Sequence, residues 1–322
     1  AKATNAYSPE LTFDQGPSSS VAREKLDAWT LAVKVNNSGN ANCPFGGPAN
    51  VAFDANGYAW INNNVIQGTP NSSNCLMVLQ PNGKPSTGLG NTPPSPITGG
   101  GILGSGFGIA IDTLGNIWSG NFGWGNNIPS IGSVTKLSSR GVPVSPSTGY
   151  TSNLLQVQGT AVDQSNNIWM ASYGNNQVVV YRNGNPSSVA TYSNGVSQPF
   201  GMAIASDGTA WVTYRGTGKV AKLQMINGVI SNVFTVNLPG YNNTVALSNS
   251  RPKGIAVDSL GNAWVVDGAA SAVYAINSSG AIVGTYTGSA INGPWGVSID
   301  AKGNPWIANF GTASPSNRYS VV

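Results

Sequence analysis

The 322-residue chain contains no histidine. That absence removes Ser–His–Asp and Cys–His nucleophilic sites, and with them any zinc centre of cysteine and histidine. The two glutamates, Glu10 and Glu24, lie in the N-terminal stretch. Lys253 and Asp267 are the remaining pair with chemical potential. A lysine whose pKa is lowered can act as a base, whereas a cross-strand ion pair between the two would be structural only. No phosphate-cradling P-loop occurs, and no cofactor is expected. Other side chains able to meet a ligand are aromatic rings and amides, so their placement decides what the chain can bind.

A phrase that recurs six times supplies that placement. It reads PANVAFDANGYAW to Trp60, FGIAIDTLGNIW to Trp118, QGTAVDQSNNIW to Trp169, FGMAIASDGTAW to Trp211, KGIAVDSLGNAW to Trp264 and WGVSIDAKGNPW to Trp306. A spacing of about 40 to 50 residues is that of a propeller blade. In the fifth phrase, Ile255-Ala256-Val257 is a short apolar strand. Asp258–Asn262 is a turn, and Trp264-Val265-Val266 returns as a second strand. A third follows at Ala272–Ile276, a turn at Asn277–Gly280, and a fourth strand at Ala281–Tyr286. The expectation is an all-β, six-bladed propeller of four-stranded antiparallel blades.

Asp54, Asp112, Asp163, Asp258 and Asp300 occupy one position of the phrase, and Ala205 takes that place in the fourth. A turn-forming role is expected for them, because a calcium loop needs several acids two residues apart. The repeated Trp is expected to fill the wedge between blades. After Trp306 there is room for a third strand (Asn317–Val322) but not a fourth. The run Trp29–Val35 is therefore expected to close the ring as the outer strand of the last blade. Residues 1–28 read as an arm with one short helix within 17–28, and residues 29–322 as a single propeller domain.

The phrases follow a P-x-G-I-A-V-D-x-x-G-N-x-W pattern over about residues 44–322. In this the chain resembles the NHL-repeat propellers and the virginiamycin B (streptogramin) lyase-like propellers. The resemblance implies a six-bladed scaffold. It also implies a catalytic histidine just before a repeat glycine, where this chain has Phe200, Lys253 and Trp295. Lyase activity is therefore not expected.

In such a blade, the start of the innermost strand and the end of the second strand share one channel mouth. Residues before the repeat glycine are Ala49, Phe107, Gln158, Phe200, Lys253 and Trp295. Those after the Trp strands include Asn63, Asn121, Tyr173, Tyr214, Arg215, Asp267, Asn309 and Phe310. The turn positions repeat, whereas these vary toward aromatics and amides. The candidate binding residues are Phe107, Gln158, Tyr173, Phe200, Tyr214, Arg215, Lys253, Asp267, Trp295 and Asn309. Aromatic platforms with fixed amides suit sugars, and they suit peptides equally. The competing reading is that the rings only plug the channel.

Composition narrows the setting. Charged residues make up 8% of the chain, against about 25% in an average domain. The net charge of +4 is spread along the chain without a basic run, so nucleic acid is not an expected partner. No apolar stretch approaches the 18 or so residues of a membrane span. Cys43 and Cys75 read as a disulfide, worth roughly 3 to 4 kcal/mol in the loop-entropy model. With the Ala1-Lys2-Ala3 start, this fits a secreted, extracellular or periplasmic protein. Three functions fit these features. The leading one is a non-catalytic propeller that binds a carbohydrate or protein. The second is a lyase or hydrolase using Lys253 and Asp267. The third is a structural subunit of an extracellular filament or surface layer that associates with its own copies.

Overall fold

The structure, a computed structural model, describes residues 11–14, 32–35, 43, 47–64, 74–123, 132–240, 251–311 and 320–321. It is an all-β propeller of small antiparallel sheets. The first blade is β3 (Pro48–Phe53), β4 (Ala59–Asn63) and β5 (Leu76–Leu79). The second is β6 (Ser105–Ile111), β7 (Ile117–Asn121) and β8 (Ser133–Leu137). The third is β9 (Val157–Val162), β10 (Ile168–Ser172), β11 (Gln177–Tyr181) and β12 (Val189–Tyr192). The fourth is β13 (Pro199–Ile204), β14 (Ala210–Tyr214), β15 (Lys219–Ile226) and β16 (Val229–Asn237). The fifth is β17 (Pro252–Val257), β18 (Ala263–Asp267), β19 (Ala272–Ile276) and β20 (Ile282–Tyr286).

These five blades of three or four strands correct the expected six of four. The sixth phrase forms a hairpin, β21 (Pro294–Ile299) and β22 (Pro305–Asn309), joined on its outer side by the two-residue β23 (Ser320–Val321). Proline explains the missing outer strands of the first two blades. Beyond β5, Pro85, Pro94 and Ile97 make only isolated bridges, and beyond β8 so do Pro143 and Tyr150. A residue without an N–H cannot continue a ladder.

The expected closure by Trp29–Val35 is also corrected. Within that run β2 (Ala32–Val35) is a strand, but it pairs with β1 (Leu11–Asp14), Leu11 opposite Val35 and Asp14 opposite Ala32. An exposed edge takes whichever extended segment reaches it. Here that segment lies in the supposed arm. The helix expected within 17–28 and Trp29 lie outside the described residues.

One clamp recurs along the described blades. In the third blade, the Asp163 carboxylate accepts the backbone N–H groups of Ser165 and Asn167 at 2.9 Å each, which fixes the turn. Its second oxygen accepts Trp169 Nε1 at 2.8 Å. The same indole-to-aspartate bond joins Trp60 to Asp54, Trp118 to Asp112, Trp264 to Asp258 and Trp306 to Asp300. The turn carboxylate thus holds the ring that wedges the next blade. Trp60 packs on Ile109 and Ile117, and Trp118 on Ile168 and Met170. Trp169 packs on Ala210 and Val212, and Trp211 on Ala263 and Val265.

The innermost strands lie edge to edge around the axis. A Cβ on Gly108 would come within 1.9 Å of Thr160 N, and one on Gly201 within 2.2 Å of the Lys253 carbonyl. Only glycine permits that approach. Such packing runs in order from β3 through β6, β9, β13 and β17 to β21, and no comparable packing joins β21 to β3 among the described residues. The Cys43–Cys75 disulfide is present and packs with Met77 beside the first blade.

The fourth blade lacks the clamp. Trp211 is fully buried and its Nε1 has no hydrogen-bond partner among the described residues, because Ala205 stands where the others carry Asp. Asp207 instead takes Lys222 at 2.9 Å, and that ammonium lies 5.6 Å from the centre of the Trp211 ring. Opposite substitutions should therefore have opposite effects. Asp163→Ala is expected to destabilise by about 2 to 4 kcal/mol, since it orphans a buried indole N–H and two turn amides. Ala205→Asp is expected to stabilise by about 1 kcal/mol. Denaturant unfolding of both variants checks the pair, and a destabilising Ala205→Asp would contradict the clamp as the cause.

Candidate functional site

The polar residue ending each second strand at the mouth turns out to be architectural. Its side chain accepts a backbone N–H from the loop entering the same blade. Asn63 takes Gly47 N at 3.2 Å, Asn121 takes Leu103 N at 3.1 Å and Ser172 takes Leu155 N at 2.8 Å. Asn309 takes Asn292 N at 3.0 Å and donates to the Ala290 carbonyl. Asp267 is the fifth blade's version. Its buried carboxylate accepts the amides of Arg251, Ala269 and Ala270 at 3.0 Å. Tyr214 departs from the pattern. Its ring lies in the core between the third and fourth blades, and burial pushes its phenol well above the ordinary range.

Asp267 and Lys253 therefore do not form the expected cross-strand ion pair. In register, Asp267 stands opposite Pro252. Its carboxylate is turned to the entering loop, while the Lys253 ammonium lies 3.4 Å from the centre of the Trp295 ring. That is a cation–π contact.

Trp295 belongs to a ring cluster drawn from alternate sheets. Phe107 on β6, Phe200 on β13 and Trp295 on β21 meet over the axis. Their centroids are 5.0 Å apart for Phe107–Phe200, 5.1 Å for Phe107–Trp295 and 6.4 Å for Phe200–Trp295. Phe310 lies beside Trp295 at 4.9 Å, inclined by 30°, and is 48% exposed. The rings make a floor across the channel, with Phe200 buried and Phe107 and Trp295 half-buried. Gln158 is buried, and its Oε1 has no hydrogen-bond partner among the described residues. Tyr173 packs on Phe122, and its hydroxyl accepts Arg215 Nη1 at 3.0 Å. The same guanidinium nitrogen reaches Gln198 Oε1 at 3.5 Å.

Of the ten candidates, Phe107, Phe200, Lys253 and Trp295 come together in direct contact. Arg215 and Asp267 stand within electrostatic reach of Lys253. Tyr214 and Asn309 serve the scaffold. Two residues escaped the sequence reading. Thr213 Oγ1 accepts Gly201 N and donates to the Lys253 carbonyl, both at 2.8 Å, so it ties the lysine strand to the fourth blade. Arg251 adds a second positive charge acting on Lys253. Its adjacency to Pro252-Lys253 was the available signal.

Burial, then repulsion by Arg215 and Arg251, lowers the Lys253 pKa to about 7, with Asp267 opposing. Between that value and the ordinary lysine range, the unfolded chain binds the extra proton and the folded chain does not. Stability should therefore rise with pH from about 7 toward 10. Thermal melts across that window should show the rise in the wild type and its loss in Lys253→Met. A wild-type profile flat over the window would contradict the buried ammonium.

No family model matches the chain, and no curated protein resembles it in sequence. Its fold has solved relatives. Virginiamycin B lyase from Staphylococcus aureus superposes with a TM-score of 0.62 at 15% identity, over 89% of this chain and 86% of that one. A catalytically inactive variant of that lyase, with alanine in place of one histidine and with quinupristin, gives 0.60 at 16% identity over 85% and 83%. The WD40 propeller domain of Doa1 gives 0.60 at 12% identity over 98% and 86%. These likenesses show a β-propeller fold shared with streptogramin B lyases and with a WD40 domain, and at these identities they concern the fold alone.

Proposed function

We propose that this chain is a non-catalytic, extracellular or periplasmic propeller that binds a carbohydrate or protein partner at the mouth floored by Phe107, Phe200 and Trp295, with a carbohydrate favoured. The observation that carries the reading is the floor itself. Three alternate sheets contribute large rings at positions where the repeat demands none, and Phe310 extends the platform outward. Aromatic faces bind the C–H faces of sugars and anchor protein contacts alike. The Cys43–Cys75 bond fits an oxidising compartment.

Catalysis is poorly supported. The S. aureus lyase is inactive once a single histidine is replaced, and this chain has none. The alternative acid–base pair of Lys253 and Asp267 lacks the geometry, because the carboxylate is held by three backbone amides. General acid–base catalysis needs groups within reach of one substrate. The third reading, a self-associating structural subunit, finds some support in the outer strands. Val229 on β16 and Val283 on β20 are about 60% exposed.

Two measurements test the proposal. Phe310→Ala should leave the melting temperature nearly unchanged and weaken glycan binding by about 1 to 3 kcal/mol, and Trp295→Ala should weaken it at least as much. Unchanged glycan and partner binding in both variants would overturn the mouth as the functional face. Separately, purified protein should leave a streptogramin B substrate such as quinupristin intact. Sustained linearisation would show that another base has replaced histidine.

A further inference from the structure

We propose that the mouth selects an anionic sugar, a uronate residue whose carboxylate meets Lys253 and the nearby Arg215 and Arg251 while its ring lies against Phe310 beside Trp295. The inference rests on the binding reading above and names its ligand class.

The charge arrangement carries it. Lys253 Nζ has no hydrogen-bond acceptor among the described residues and lies on the face of an indole. Arg215 and Arg251 both act on it as repulsive charges. Among the described residues Arg215 is bonded to neutral groups, the Tyr173 hydroxyl and the Gln198 amide oxygen. Among the described residues the carboxylate acting on Lys253 is that of Asp267, which is already engaged by the amides of Arg251, Ala269 and Ala270. Below about pH 7, where Lys253 is protonated, three cations against one described anion leave the mouth about two charges positive. Gathering like charges in a half-buried site costs stability, and an arriving anion relieves that cost. A carboxylate would also supply the acceptor that Lys253 lacks.

The rings decide between sugar and peptide. Phe310, 48% exposed, extends the ring cluster outward beside Trp295 at an inclination of 30°, and an aromatic wall next to the cations suits a pyranose carrying its own carboxylate. The charged groups facing Lys253 are Arg215 after β14, Arg251 before β17 and Asp267 on β18. Of the three cations, Lys253 alone loses its charge near neutral pH, so binding should weaken as pH rises while a residue of arginine attraction persists.

The test uses the full chain and three probes: trigalacturonate, its fully methyl-esterified form and a hexaglutamate peptide, each followed by calorimetry. At about pH 6 the acid should bind at least about tenfold more tightly than the ester, a difference of about 1.4 kcal/mol. Raising the pH to about 9 should shrink that preference several-fold. Lys253→Met should abolish most of it at about pH 6 while leaving the weaker binding of the ester in place. Equal binding of acid and ester overturns the anionic assignment and leaves the sugar-binding reading standing. Tight binding of hexaglutamate without trigalacturonate overturns the sugar in favour of an acidic peptide. Binding of none of the probes overturns the inference, and the broader reading then depends on the Phe310 and Trp295 variants alone.

Discussion

The indole-to-carboxylate bond is the interaction on which the propeller depends. A tryptophan alone would supply apolar area but not direction. Anchored to the turn one strand earlier, its ring is fixed toward the next blade, and one bond serves two purposes. The Asp closes the hairpin through backbone amides and then positions the wedge between sheets. Burying an indole also demands a partner for its N–H, and the turn carboxylate is the nearest available. The fourth blade shows the consequence of losing it. Trp211 keeps the ring but leaves Nε1 unpaired, and Lys222 with Asp207 takes over part of the electrostatics beside it.

A second constraint, crowding at the axis, shapes the mouth. Repeat glycines let innermost strands approach within backbone contact, so the residue just before each glycine is carried to the channel rim. Six large side chains would not fit there. The chain resolves this by alternation: Phe107, Phe200 and Trp295 are large, while Ala49, Gln158 and Lys253 are smaller or flexible. The platform is therefore a product of packing before it is a binding surface. The two readings of the rings, plug and platform, are compatible, because the same cluster closes the channel and leaves Phe310 exposed.

The repeat made the blades legible, since each phrase carries its own turn, wedge and glycine. The fifth blade's strands at Ala272–Ile276 and through Tyr286 follow the sequence reading closely. What the repeat does not encode was misjudged. The outer edges of the first two blades depend on prolines in their loops, and the pairing of β2 depends on Leu11–Asp14, a segment without repeat character. At the mouth, position in the phrase brings Phe107, Phe200 and Trp295 together but also selects Tyr214, which lies in the core, and residue type alone does not distinguish amides that bond the loops. Asn309 and Asp267 are binding candidates because their positions vary from blade to blade, yet both side chains accept amides of the loop entering their blade. In fact Asn, Ser and Asp are interchangeable acceptors for one backbone N–H. Variation among chemically equivalent groups therefore says little, whereas the rise of Trp295 and Lys253 at a position otherwise filled by Ala, Gln or Phe marks a change of chemistry.

That distinction leads to the charge economy of the whole chain. Acids are few, and those whose side chains are described have local occupations. Asp54, Asp112, Asp163, Asp258 and Asp300 hold turns and indoles, Asp207 takes Lys222, and Asp267 ties the loop entering the fifth blade. None of these contacts neutralises Lys253, Arg215 or Arg251. In a chain this poor in charge, a scattered cation is unremarkable, but a lysine on which two arginines act beside a half-buried aromatic surface marks a local positive field. Fold stability does not call for that arrangement, because burial and mutual repulsion both penalise the Lys253 ammonium. Its persistence next to the one wall of the mouth built from rings is what ties the electrostatics to a ligand rather than to the scaffold.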